Sequence, residues 1–103
     1  MSITVNNPSD TTPPAVALTA PLNGATVAKG STITVTANAS DNVGVSRVEF
    51  YVSGALKATD SASPYSFSWK VPNKPGATYQ LQAKAYDASG NVGRSMLVSV
   101  KSR

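Results

Sequence analysis

The chain has 103 residues, which is enough for one domain with a single hydrophobic core. Nine basic residues against five acidic ones give a formal net charge of +4, but the basic residues are scattered, and a nucleic-acid-binding surface needs them clustered. The absence of cysteine and histidine excludes disulfide bonds, thiolate metal sites and a histidine general base.

The N-terminal part of the chain contains a stiff segment but no targeting signal. Residues 8–14, PSDTTPP, end in two adjacent prolines, which fix φ and supply no amide donors, so we expect a linker there. The first residues lack the apolar block of a signal peptide, and no run in the chain approaches the length of a membrane span. We therefore expect no membrane contact, and any export would be directed by a longer parent protein.

After the linker, the chain alternates between apolar and polar residues, which is the pattern of half-buried strands. Turn residues such as Pro21 and the segment LNGAT separate the alternating stretches. The predicted strands are residues 15–21, 31–40, 45–54, 55–60, 64–71, 77–87 and 94–102. Strands with one dry and one wet face predict an all-β fold, an antiparallel two-sheet sandwich of about seven strands over residues 15–103.

The alternation also predicts which side chains face the core. Trp69 is the expected core anchor because it has the largest apolar area in the chain. The remaining inward positions include Val48, Phe50, Val52, Tyr79, Leu81, Ala83, Ala85, Met96, Val98 and Val100. The same parity places Arg47, Glu49, Tyr51, Lys84 and Tyr86 on an outer face.

Several motifs together resemble a bacterial Ig-like domain. In chain order they are DTTPP, LTAP, NGATV, ASDNVGV, PYSFSW and AYDASGNVG, within residues 10–101. The resemblance implies an immunoglobulin-like or fibronectin-III-like sandwich, in agreement with the alternation. Such modules recur in tandem in secreted and cell-surface proteins and are often appended to proteases, chitinases or other polysaccharide-active enzymes. The fold itself does not imply one activity.

The resemblance gives residues 1–7 two interpretations. The segment SITVNN resembles the last strand of such a module, so these residues are expected to be the tail strand of a preceding copy. The alternative is an N-terminal extension that adds to the edge of this domain, since strand edges accept such additions. The expected partners are neighbouring domains of the same chain, and the module itself is expected to be a monomer, secreted or at the cell surface.

The acidic residues do not predict a catalytic site. They are Asp10, Asp41, Glu49, Asp60 and Asp87. Asp41 and Asp87 are expected to lie at the same end of the sandwich, but a glycosidase-like pair needs a cleft with sugar-binding aromatics, and such short loops cannot build one. We therefore expect no catalytic residue and no enzymatic activity from this domain, although the parent protein is free to be a hydrolase.

The two acidic loops have a metal-binding interpretation and a structural one. Asp87, Ser89 and Asn91 alternate as oxygen donors, and with Asp41 they could hold a weakly bound structural calcium ion. The calcium-loop pattern then fails, because Val92 stands where a turn glycine is required. The favoured interpretation is turn chemistry, in which Asp accepts hydrogen bonds from nearby backbone amides. No other cofactor is expected.

The outer face has a ligand-binding interpretation. Tyr51 and Tyr86, flanked by Arg47 and Lys84, could stack on sugar rings and bind a polysaccharide or another cell-surface component. The simpler interpretation is a cross-strand aromatic pair that covers the sheet. The function that the sequence favours is a non-catalytic spacer or platform module, and the alternative is a carbohydrate-binding or adhesion accessory module.

Overall fold

The computed structural model describes residues 12–103, which form nine strands. They are β1 (Ala15–Ala20), β2 (Ala25–Val27), β3 (Thr32–Ser40), β4 (Val45–Val52), β5 (Ala55–Asp60), β6 (Tyr65–Lys70), β7 (Thr78–Asp87), β8 (Val92–Arg94) and β9 (Val98–Ser102). Within this range no helix is long and apolar enough to cross a bilayer.

The strands form two sheets. One contains three strands in the order β1-β3-β6, and the other runs β2-β9-β7-β4-β5, with β8 also paired to β7. All pairs are antiparallel except β2 with β9. The predicted all-β sandwich is therefore confirmed, with nine strands in the described range instead of about seven.

The core lies between the sheets and follows the predicted parity on the long strands. Trp69 is 4% exposed, which confirms it as a core residue. Its indole packs edge-on against the ring of Tyr79, with centroids 5.2 Å apart, and the rings of Phe50 and Phe67 lie 5.6 Å apart. These aromatic pairs join the two sheets, because Phe67 and Trp69 come from β6 whereas Phe50 and Tyr79 come from β4 and β7.

Strand β2 is not predicted by the sequence pattern, because the segment LNGAT has the residues of a turn. Residues Ala25–Val27 instead pair in parallel with Val100, Lys101 and Ser102 of β9. The chain therefore continues from β1 into β2 in the same direction but changes sheet between Ala20 and Ala25. A strand of three residues is too short to show a period of two, so its sequence carried no usable signal.

The last predicted strand is also wrong in one respect. It is divided into β8 and β9, and Met96, predicted to point inward, is 87% exposed. The cause is Ser95, whose buried hydroxyl accepts a hydrogen bond from the Ala83 amide at 2.9 Å and donates one to the Met96 carbonyl at 3.0 Å. Because of these hydrogen bonds, the inward position is occupied by the small polar side chain of Ser95. Met96 and Leu97, which follow it, lie outside the strands.

The chain enters and leaves the sandwich at opposite ends. The aspartate end carries the loops of Asp41 and Asp87, and there the backbone of Pro14 lies directly against Gly93 of β8. At the other end, Lys101 of β9 pairs with Thr78, where β7 begins. The predicted tail strand (residues 1–7) and most of the linker (residues 8–11) fall outside the described residues.

Candidate functional site

The four residues predicted to form a ligand face come together on the outer surface of the larger sheet. The register of β4 and β7 puts Arg47 opposite Tyr86 and Glu49 opposite Lys84. Tyr51 is the next outward residue of β4. We call Arg47, Glu49, Tyr51, Lys84 and Tyr86 the tyrosine cluster.

Glu49 joins the members of the tyrosine cluster. Its Oε1 accepts hydrogen bonds from the hydroxyls of Tyr51 and Tyr86, both at 2.7 Å. Its Oε2 lies 3.6 Å from Nε of Arg47. The Glu49 side chain is only 14% exposed as a result. The sequence pattern predicts Glu49 on this face but no role for it. The signal for that role is its position between Arg47 and Tyr51 and opposite Lys84.

Two cations lie over the tyrosine rings. The guanidinium carbon of Arg47 is 3.8 Å from the centroid of the Tyr86 ring, and Nζ of Lys84 is 4.5 Å from that of Tyr51. Both distances are within the range of cation–π attraction. One π face of each tyrosine is therefore covered by a neighbouring side chain.

The pKa values in the tyrosine cluster reflect this network. Burial alone would raise the pKa of Glu49, but the hydrogen bonds from Tyr51 and Tyr86, together with the charge of Arg47, outweigh it and lower that pKa below its ordinary value of 4.5. The hydrogen bond to Glu49, followed by burial, raises the pKa of each tyrosine hydroxyl above 10.0. The network is therefore most stable with an ionised carboxylate and two neutral phenols.

Asp87 is built into the β7–β8 loop. Its Oδ1 accepts hydrogen bonds from the amides of Ser89 and Asn91, and its Oδ2 accepts one from Nδ2 of Asn91, all at 2.9 Å. The residue is 4% exposed. In this loop the Asp87 carboxylate therefore accepts hydrogen bonds from amides that have no backbone carbonyl acceptor where the chain reverses. This agrees with the turn interpretation of the sequence.

Asp41 plays a similar part in the β3–β4 loop, where its Oδ2 accepts hydrogen bonds from the amides of Val43 at 3.1 Å and Gly44 at 3.3 Å. Its loop meets that of Asp87 at the same end, because Val45 is in register with Asp87. In residues 12–103, no group of three or more acidic, histidine or cysteine side chains is placed to hold a metal ion. Calcium binding by Asp41 and Asp87 stays a prediction.

The acidic side chains of residues 12–103 all accept hydrogen bonds from the protein. Asp60 follows the same rule as the loop aspartates, since its two oxygens accept the amides of Ala62 and Ser66, each at 3.1 Å. Glu49 is the remaining described acid, and it is held by two phenols. These hydrogen bonds to the acidic side chains stabilise the turns and the outer surface of the larger sheet.

Comparison with known proteins agrees with this architecture. A family model described as a bacterial Ig domain matches residues 14–83. Among solved structures, the chain is similar to fibronectin(III)-like modules of Clostridium thermocellum CbhA, with 26% sequence identity and a TM-score of 0.78 over 85% of this chain and 94% of that chain. Comparison with curated proteins gives no match.

Proposed function

The chain belongs to the bacterial Ig-domain family, and from this we propose that it is a non-catalytic spacer or platform module of a multidomain bacterial protein. In this proposal the parent protein is secreted or attached to the cell surface, and the partners of the module are the neighbouring domains of the same chain. The module acts by keeping those neighbours at a set separation and orientation.

The main support for the proposal is the position of the two points at which the chain enters and leaves the sandwich. The chain enters beside Gly93, which pairs with Ala85 near the end of β7, and it leaves beside Thr78, where β7 begins. Thr78 and Ala85 are seven residues apart on β7, which corresponds to about 23 Å at the usual rise of a strand. Both ends are tied to the sandwich, so this distance is fixed by packed strands.

Two further observations support a role without catalysis. The described acidic side chains accept hydrogen bonds from backbone amides or from phenols. The chain also has no histidine or cysteine that could take over proton transfer or nucleophilic attack. Reaction chemistry of the parent protein is therefore assigned to other domains.

The spacer proposal is tested with a protein containing two copies of the module joined through residues 8–14. The chain has no cysteine, so Lys29→Cys in each copy gives two specific spin-label sites on exposed positions. We expect a narrow distribution of label distances, since a proline-rich linker is semi-rigid. The control replaces residues 8–13 with Gly and Ser, and equal widths for the two linkers would contradict the proposal.

A sugar-binding face at the tyrosine cluster is the second candidate. It is favoured by the convergence of Tyr51 and Tyr86 on one carboxylate oxygen, which orients two half-buried rings on a sheet surface. It is disfavoured by the cations that cover one face of each ring. Retention on insoluble polysaccharides that is lost in Tyr51→Ala and Tyr86→Ala, but kept in Leu56→Ala, would establish it.

A further inference from the structure

A groove opens where the free edges of the two sheets approach each other. Its lining comes from β4, β5, β6 and β7, of which β5 and β6 are edge strands, and its volume is about 420 Å³. It lies at the end opposite the aspartates, next to the turn between β4 and β5. The residues that line it include Val52, Lys57, Phe67, Trp69, Lys70 and Tyr79. The volume is within the usual range for small-molecule sites.

The charge in the groove is positive. Lys57 and Lys70 both line it and are exposed, and neither forms an ion pair with another described residue. None of the residues lining the groove is acidic. This differs from the tyrosine cluster, where Arg47 is paired with Glu49.

Lys57 owes its position to a β-bulge. Phe50 of β4 pairs with Ala58, whereas the next residue, Tyr51, pairs with Leu56, so Lys57 is an extra residue in β5 without a partner in the ladder. A bulge changes the direction of the inserted side chain, and bulges are enriched next to binding sites. Here the extra residue brings an ammonium group to the groove.

Two residues that line the groove, Trp69 and Tyr79, carry hydrogen-bond donors for which the described part of the chain supplies no acceptor. No hydrogen bond within residues 12–103 includes the indole N–H of Trp69 or the hydroxyl of Tyr79, although Trp69 is 96% removed from solvent. Buried indole and phenol groups usually have a partner. By contrast, the hydroxyls of Tyr51 and Tyr86 are satisfied by Glu49.

We propose that this groove binds a carboxylated sugar, that is, a uronate residue of an acidic polysaccharide. The apolar face of a pyranose ring covers Phe67 and Tyr79, its ring and hydroxyl oxygens accept hydrogen bonds from the free donors, and its carboxylate lies between Lys57 and Lys70. Cationic and neutral donors together select an acceptor-rich anion with an apolar face. The inference goes beyond the spacer role and does not depend on it.

The site contains its own reporter, because Trp69 is the single tryptophan of the chain. The full chain is titrated with a tetramer of galacturonic acid while tryptophan fluorescence is recorded, and then with the methyl-esterified tetramer, which lacks the charges. We expect a saturable change with the acid and a response at least about tenfold weaker with the ester, since charge-assisted hydrogen bonds dominate the selectivity.

Variants then locate the site. Lys57→Gln and Lys70→Gln are each expected to weaken binding about tenfold. The matched change Lys101→Gln, at an exposed position of β9 outside the groove lining, is expected to leave binding unchanged. Tyr79→Phe keeps the ring and is expected to weaken binding about threefold through loss of one neutral hydrogen bond. Thermal melting of each variant separates lost binding from lost folding.

Four results would overturn the inference. They are the absence of a saturable response, equal affinity for acid and ester, equal weakening by Lys101→Gln, and a response only to an extended peptide of alternating Val and Glu. The last would identify the groove as a peptide site. None of the four bears on the distance measurement that tests the spacer role, so the two proposals fail independently.

Discussion

Asp87 at the end of β7 illustrates how single residues in this chain are used. Its carboxylate is buried at the aspartate end and accepts three hydrogen bonds from its own loop. Asp41 accepts amides of the β3–β4 loop in the same way, and Asp60 accepts the amide of Ala62 in the β5–β6 loop. A carboxylate acceptor of this kind stabilises a chain reversal in which no backbone carbonyl is placed to accept the loop amides.

Replacement of Asp87 tests this role against metal binding. Asp87→Ala leaves two loop amides without their acceptor, so we expect a loss of about 3 kcal/mol in the free energy of unfolding. Asp87→Asn keeps an oxygen for the amides of Ser89 and Asn91, and its loss is expected to be about 1 kcal/mol. Denaturant titration measures both. A calcium-dependent increase in melting temperature of the unsubstituted chain, absent from Asp87→Asn, would instead support an ion at this end.

Glu49 predicts how stability depends on pH. Its pKa is lowered on folding, so its contribution is present above the ordinary value of 4.5 and is lost as the pH falls through the lower folded value. The pKa values of Tyr51 and Tyr86 are raised, so their contribution is present below pH 10.0 and is lost as the pH rises through the higher folded values.

Absorbance titration of the tyrosines checks this prediction. In Glu49→Gln the latest-titrating tyrosines should ionise at lower pH, since the carboxylate that favours their neutral form is gone, and the loss of stability in acid should be smaller. Tyr51→Phe serves as the control because it removes one late transition and leaves Glu49 in place. An unchanged titration curve in Glu49→Gln would contradict the network.

The tyrosine cluster was partly predictable from the sequence. The period of two put Arg47, Tyr51, Lys84 and Tyr86 on one face, and pairing of β4 with β7 brought them together. The role of Glu49 was not predictable, because it depends on two phenols from different strands reaching the same oxygen. The groove was missed for a related reason: it is formed by residues from four strands, one of them displaced by a bulge.

At the scale of elements, the β4–β5 hairpin has the most specific local requirement. Ser53 has φ of +48° and Gly54 has φ of +85°, so both central residues of the turn are left-handed, as a type I′ turn requires. Ser53 is the one non-glycine residue with positive φ in residues 12–103. Asparagine tolerates this conformation better than serine does.

A matched pair of substitutions tests the turn. Ser53→Asn is expected to raise the free energy of unfolding by about 0.5 kcal/mol, and Gly54→Ala to lower it by about 1 kcal/mol, because alanine is strained at positive φ. A destabilised Ser53→Asn variant or a stabilised Gly54→Ala variant in thermal melts would be inconsistent with this turn type.

The elements that the sequence predicted well are the long ones. Strands β3, β4, β6 and β7 have six or more residues, so their alternation defined both the strand and its buried face. The errors fall where other interactions override the pattern. The strand β2 is too short to alternate, and Met96 leaves the sheet because Ser95 takes the inward position through its hydrogen bond to Ala83.

At the scale of the whole molecule, the contact between Pro14 and Gly93 fixes how the chain enters the sandwich. A Cβ placed on Gly93 would lie 1.8 Å from the carbonyl oxygen of Pro14 and 2.9 Å from its carbonyl carbon. Only glycine leaves room for backbone at this distance. The small residue on β8 therefore determines where the preceding linker can lie.

Gly93→Ala is expected to displace the Pro14 backbone and to lower the free energy of unfolding by about 2 kcal/mol through overpacking. In the two-copy protein it should also broaden the distribution of label distances. Arg94→Ala, at the next and exposed position, is the control and should change neither quantity. A Gly93→Ala protein with unaltered stability and distances would show that this contact does not hold the linker.

The parallel pairing of β2 with β9 has a consequence for a module pulled from both termini. The two strands run in the same direction. A force applied to both termini pulls β2 at its N-terminal end and β9 at its C-terminal end, so the two strands are pulled in opposite directions. Tension would therefore load the bonds of this pair in shear, all together, instead of peeling them apart one by one. The short strand β2, which the sequence pattern does not predict, would then resist extension of the domain.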